Sequence, residues 1–116
     1  MRVLVLGGYG LIGSAVVREG LARGWAVAGA GRNPGRGRRA IPAADWIAAD
    51  LARLSRAEDW TGLLTGIDAV INCAGSLQDG GGDDLQAVHR TGIAALVAAC
   101  EAIGVPRLVQ ISAPGA

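Results

Sequence analysis

The sequence predicts a doubly wound α/β domain built on a parallel sheet, and three observations carry that prediction. Strand-like and helix-like stretches alternate along the whole chain. The strand-like stretches are continuous apolar runs, such as Val3-Leu4-Val5-Leu6 and Ala69-Val70-Ile71. Such runs suit strands buried on both faces, whereas a half-exposed sheet would show alternation. The third observation is a glycine-rich turn, Gly7-Gly8-Tyr9-Gly10-Leu11-Ile12-Gly13, between the first apolar run and the first helix-like stretch.

Taken in order, Arg2 to Leu6 reads as a buried strand, too short for a helix and bounded by glycine. Leu11 to Arg23 reads as a helix whose apolar stripe is Leu11, Ile12, Ala15, Val16 and Ala22, interrupted by Glu19. Gly20 inside it should cost about 1 kcal/mol relative to alanine, and Gly24 is placed to stop it. Trp25 to Ala30 is the second strand, and Pro34 to Arg39 reads as a loop with two glycines and three arginines. Trp46 to Ala49 is a short third strand ending at Asp50. A weak helix is expected from Ser55 to Leu64, with Glu58 and Asp59 where the helix dipole favours them, and Gly66 ends it. Ala69 to Asn72 is the fourth strand. Gln78 to Asp84, with three consecutive glycines, reads as a mobile loop. Leu85 to Ile103 is the longest helix, stopped at Gly104-Val105-Pro106, and Leu108 to Ile111 is the fifth strand. Right-handed crossovers arrange these strands in the order 3-2-1-4-5, a Rossmann-type sheet. Winding reverses between strands one and four, and the crevice beyond their carboxyl ends is where ligands bind. The glycine turn lies there.

Composition narrows the function classes. The 116 residues suit one small domain, read here as residues 1–116, with 51% hydrophobic and 18% charged residues. No apolar run approaches the roughly 20 residues of a bilayer span, and no signal peptide is recognisable, so a cytoplasmic protein without a membrane partner is expected. The net charge of +1 argues against a nucleic-acid partner. Basic charge is nevertheless concentrated locally, in Arg32, Arg36, Arg38 and Arg39. The two cysteines, Cys73 and Cys100, lack metal-ligand spacing and read as reduced thiols in packing positions.

The glycine turn has a physical use. Glycine accepts backbone angles that a Cβ forbids, and it lets a phosphate approach the backbone. The helix that follows offers unpaired N–H groups and the positive end of its dipole. Two registers are present, Gly8-x-Gly10-x-x-Gly13 and Gly7-x-x-Gly10-x-x-Gly13. The phase of the preceding strand favours Gly7 as the first turn residue, and a dinucleotide is the expected guest. A turn without a ligand is the plain alternative.

The sequence resembles the short-chain dehydrogenase/reductase superfamily, in particular its extended and atypical, epimerase/dehydratase-like members. The resemblance rests on Gly7, Gly10 and Gly13, Asp50-Leu51, Asn72-Cys73-Ala74-Gly75, Val88-His89-Arg90-Thr91-Gly92 and Val109-Gln110-Ile111-Ser112. It implies that the glycine turn, through Gly7, Gly10, Leu11, Ile12 and Gly13, holds the pyrophosphate of a nicotinamide dinucleotide. It implies further that Asp50, followed by Leu51, meets the adenine amino group, and that Ala74 and Gly75 line the adenosine side. Asp50 as a helix cap is the alternative. Asn72 matches a residue with a structural role in its turn.

Cofactor choice turns on the end of the second strand. An NAD site places an acid about 20 residues on, for the ribose 2′-hydroxyl. Arg32 stands there instead, and a guanidinium suits a 2′-phosphate. NADP is therefore expected, with NAD as the alternative cofactor and a solvated basic loop as the alternative role for the arginines.

The family's catalytic Tyr-x-x-x-Lys pair is missing, since the one tyrosine is Tyr9 and the sequence has no lysine. The family's asparagine position falls on His89, and its catalytic serine falls on Ala113, next to Ser112. No catalytic residue is assigned and no metal site is expected. Two readings of function stay open: the cofactor-binding part of a longer oxidoreductase- or epimerase-like protein, incomplete relative to its family, or a non-enzymatic NAD(P)-binding module that senses redox state or binds a partner. The fifth strand would leave an apolar sheet edge. A homodimer through that edge, or burial by further chain, is expected.

Overall fold

Successive side chains of a strand point to opposite faces, and in the first strand, β1 (Arg2–Leu6), both faces are apolar. Val3 and Val5 join one buried cluster, with Val17, Val27, Ile41 and Trp46. Leu4 and Leu6 join another, with Trp60, Leu64, Val70, Leu96 and Cys100. Each fully buried Val or Leu contributes about 1.5–3 kcal/mol, so β1 is held from both sides. The structure, a computed structural model, describes residues 1–8, 10–50, 53–73 and 83–111.

The remaining elements are α1 (Leu11–Ala22), β2 (Ala26–Gly31), α2 (Pro34–Ala40) and β3 (Asp45–Ala48). A 3-10 turn (Ala57–Trp60) leads into α3 (Thr61–Leu64), and β4 (Ala69–Asn72), α4 (Asp83–Ile103) and β5 (Arg107–Gln110) follow. All strand pairs are parallel, in the order β3-β2-β1-β4-β5, as the sequence predicts.

Four expectations need correction. Residues 34–39 are not a loop. They lie in α2, started by Asn33, whose Oδ1 accepts the Arg36 N–H at 3.2 Å, with Pro34 in the first turn. The stretch from Ser55 to Leu64 is not one helix. Arg56 N–H donates to Asp59 Oδ2 at 3.0 Å, and a 3-10 turn precedes a single turn of α-helix. The long helix begins at Asp83, within the stretch read as a loop, while residues 78–82 lie outside the described residues.

The fourth correction concerns the buried face of α1. Leu11 is 91% exposed and Ile12 is 49% exposed, and the buried positions are Gly13, Val17 and Gly20. A Cβ on Gly20 would come to 2.9 Å from Val27 Cγ2, so the helix approaches β2 where a side chain is missing. The glycine that weakens the isolated helix is what permits its packing. Gly24 ends α1 as expected, with φ +81°. Its N–H donates to the Leu21 carbonyl at 3.0 Å, and the Trp25 N–H donates to the Gly20 carbonyl at 3.0 Å.

The outer strand β5 pairs only with β4 among the described residues. Val109 on it is 48% exposed.

Candidate functional site

Register decides what shares the site. Leu6 is level with Ala30 on one side and with Asn72 on the other. Gly31 is level with Ala48, and Asn72 with Gln110. The residues that leave these five strand ends therefore emerge along one edge of the sheet. Gly7, Arg32, Asp50 and Cys73 are among them. Backbone bonds across neighbouring strands fix this edge: Gly7 N–H to the Ala30 carbonyl at 2.9 Å, Cys73 N–H to the Leu6 carbonyl at 2.9 Å, Ala49 N–H to the Gly31 carbonyl at 2.8 Å and Ile111 N–H to the Asn72 carbonyl at 3.1 Å.

The glycine turn is built on one carbonyl. Gly7 has φ +72°, in the left-handed region open to glycine. Its carbonyl oxygen accepts the Gly10 N–H at 3.1 Å. A Cβ on Gly13 would overlap that same carbonyl. Gly10 and Gly13 thus both close on the Gly7 carbonyl, at the spacing that the strand phase favours. Gly8 packs downward instead, and a Cβ there would come to 3.1 Å from Trp46 Cζ3 and 3.3 Å from Gly29 Cα.

Gly10 differs from its neighbours. It is exposed, its φ of −74° and ψ of 176° suit any residue, and among the described residues a Cβ on it would meet only the Gly7 oxygen, at 3.5 Å. The fold does not require glycine there. It is also the N-cap of α1, which has no side-chain cap and no acid in its first turn. The N–H groups of Leu11, Ile12 and Gly13 therefore open the helix without a capping side chain, an arrangement that favours an anion.

Around this turn, Arg32 is exposed directly after β2. Among the described residues no hydrogen bond or ion pair involves its side chain. Asp50 is partly exposed, and Arg53 Nε lies 3.4 Å from its Oδ2. That ion pair is largely solvated and contributes little stability. Asn72 is 2% exposed, and its Nδ2 donates to Gln110 Oε1 at 2.8 Å, tying the ends of β4 and β5 together. Cys73 is half-buried and Cys100 is buried. Burial pushes both thiols above their ordinary pKa. Tyr9, Leu51, Ala74, Gly75, Ser112 and Ala113 lie outside the described residues, as does the side chain of His89 in α4. No cluster of three or more His, Cys, Asp or Glu able to hold a metal ion occurs among the described residues. No helix among them is long and apolar enough to cross a membrane.

In the sequence Trp46 reads only as a strand residue. Its indole is 7% exposed and lies where Cβ atoms of Gly29 and Gly37 would be, so glycines on β2 and α2 make room for it. The signal was a bulky aromatic with glycines on two other elements, and only the fold shows that these meet.

A sequence model of a family described as NAD(P)H-binding matches residues 7–116. No curated protein matches the chain. Among solved structures, one described as an NAD-dependent epimerase/dehydratase from Bacillus halodurans is 26% identical, with a TM-score of 0.81, covering 99% of this chain and 52% of that one. The UDP-glucose 4-epimerase of Thermus thermophilus, in complex with NAD, is 31% identical, with a TM-score of 0.69, covering 93% of this chain and 36% of that one. An oxidoreductase of Lactococcus lactis shares the fold at 23% identity, with a TM-score of 0.75, covering 97% of this chain and 48% of that one. The chain spans about half the length of the first two of these three structures or less.

Proposed function

The chain belongs to the NAD(P)H-binding family, and from that premise we propose that the turn from Gly7 to Gly13 cradles the pyrophosphate of NADP. Gly10 carries the reading. It is a glycine at an exposed, unstrained position where the fold has room for a Cβ. A phosphate drawn onto the start of α1 needs that room. The N–H groups of Leu11, Ile12 and Gly13 would receive its oxygens, aided by the helix dipole.

The other residues of the strand-end edge take the adenosine half. Arg32, exposed beside the turn, would bind the 2′-phosphate through two parallel N–H bonds, which favours NADP over NAD. Asp50, with Leu51 after it, would meet the adenine amino group. Ala74 and Gly75 would line the adenosine side, where small residues leave space. When bound, the nicotinamide ring supplies or accepts a hydride. This chain's described residues bind and orient the dinucleotide.

Structures of epimerase/dehydratase-like proteins extend well beyond the length of this chain. That supports reading it as the dinucleotide-binding part of an oxidoreductase- or epimerase-like protein. The outer edge of β5 is where further chain, or a second copy, would add. Calorimetric titration with NAD, NADH, NADP and NADPH tests the reading. Binding with preference for the phosphorylated pair is the expected result, and no heat with any of the four would overturn it.

A further inference from the structure

α2 has seven residues, and its one buried residue is Gly37. So short a helix has little stability of its own, and its placement depends on what holds Gly37. The Trp46 benzo ring lies where a Gly37 Cβ would be. The same indole donates from Nε1 to the Ile41 carbonyl at 2.8 Å, at the end of α2. Arg38 Nη2 donates to the Trp46 carbonyl at 3.4 Å. One residue of β3 therefore touches α2 at its middle, its last turn and its C-cap.

The same benzo ring also reaches the glycine turn. Trp46 Cζ3 lies 3.1 Å from the place of a Gly8 Cβ, and the ring overlaps the place of a Gly29 Cβ on β2. The indole thus fills the space left by three missing side chains, from the β1–α1 turn, β2 and α2. Arg32 and Asn33, the cap of α2, join β2 to α2. The β1–β2 backbone bonds set where β2 ends, and the ring, by seating Gly37 of α2 beside Gly8 and Gly29, sets how the chain leaves β2 through Arg32 and Asn33.

We infer that Trp46 is a positioning residue for cofactor selectivity, holding the Arg32–α2 segment at a fixed distance from the glycine turn so that Arg32 meets the 2′-phosphate while the turn holds the pyrophosphate. The inference rests on the reading of the turn and of Arg32 as the NADP site. Trp46 is buried, and its effect on selectivity would pass through Arg32. A ribose 2′-hydroxyl makes no such demand on Arg32, so NADH affinity should depend far less on where Arg32 sits.

The test is calorimetric titration of wild type, Trp46→Leu, Trp46→Phe, Arg32→Gln and the Trp46→Leu/Arg32→Gln double variant with NADPH and with NADH, with folding checked by circular dichroism. Trp46→Leu should lower NADPH affinity about tenfold, the equivalent of one charge-assisted bond, and NADH affinity much less. In the Arg32→Gln background it should cause no further selective loss. Trp46→Phe keeps a ring in place but lacks the bond to Ile41, so it should show a smaller loss of the same selective kind. It decides the matter if Trp46→Leu does not fold. Equal losses for both dinucleotides, or no loss in a folded Trp46 variant, would overturn the inference. A wild-type chain without NADPH preference, or an Arg32→Gln variant without selective loss, would instead remove the NADP reading beneath it.

Discussion

The carbonyl oxygen of Gly7 stands where a Cβ on Gly13 would have to be. Strand and helix meet there backbone to backbone, with no side chain between them. The glycine at position 13 therefore serves packing, and alanine must push the start of α1 away from β1. Gly13→Ala should cost about 1–3 kcal/mol, as overpacked sites do. A lowered urea midpoint with an unchanged slope would show it.

Arg32 should act on one cofactor only. Arg32→Glu removes a cation and adds an anion where a 2′-phosphate is expected, so NADP affinity should fall by at least tenfold, about 1.4 kcal/mol or more. NAD affinity should change far less. Parallel titrations measure both, and equal losses would remove the phosphate role.

Trp46 and Gly29 should be coupled in stability. Gly29→Ala places a methyl group where the indole now lies, and should cost about 1–3 kcal/mol. In a Trp46→Leu background the same substitution should cost clearly less, because the obstructing ring is gone. Thermal unfolding of the four proteins gives the coupling, and simple additivity would contradict the packing described.

The thiols give a dependence on alkaline pH. Burial raises the pKa of Cys73 and Cys100 above the ordinary thiol value in the folded chain. In the unfolded chain they ionise first, so the folded state binds more protons as pH rises past that value. Stability from this source is complete below the unfolded pKa and is lost as pH climbs from it toward the folded pKa. Cys100→Ala should flatten the alkaline decline in the unfolding midpoint. A decline as steep as that of wild type would remove the thiol contribution.

Strand order and the glycine turn were legible because each rests on local signals. Apolar runs mark strands covered on both faces, and Gly7, Gly10 and Gly13 recur at a fixed spacing. Register then brought Arg32 and Asp50 to the edge where the sequence placed them. α2 was missed because Gly35 and Gly37 lower helix propensity, while Asn33 and Trp46 supply the cap and the contact that offset it. The face of α1 was misassigned for a related reason. A periodicity count follows apolar side chains, whereas this helix packs through Gly13 and Gly20, where side chains are absent. The seat of Trp46 is a fit among residues far apart in sequence, and no local pattern encodes it.

On the function proposed above, Gly10 is small for a phosphate and not for the fold. Gly10→Val tests it in one protein, measured by unfolding and by NADPH titration. The expected result is a folded chain within about 1 kcal/mol of wild type, since the position is an N-cap without a side-chain bond, and no detectable NADPH binding. Wild-type NADPH affinity in the folded Gly10→Val chain would contradict it.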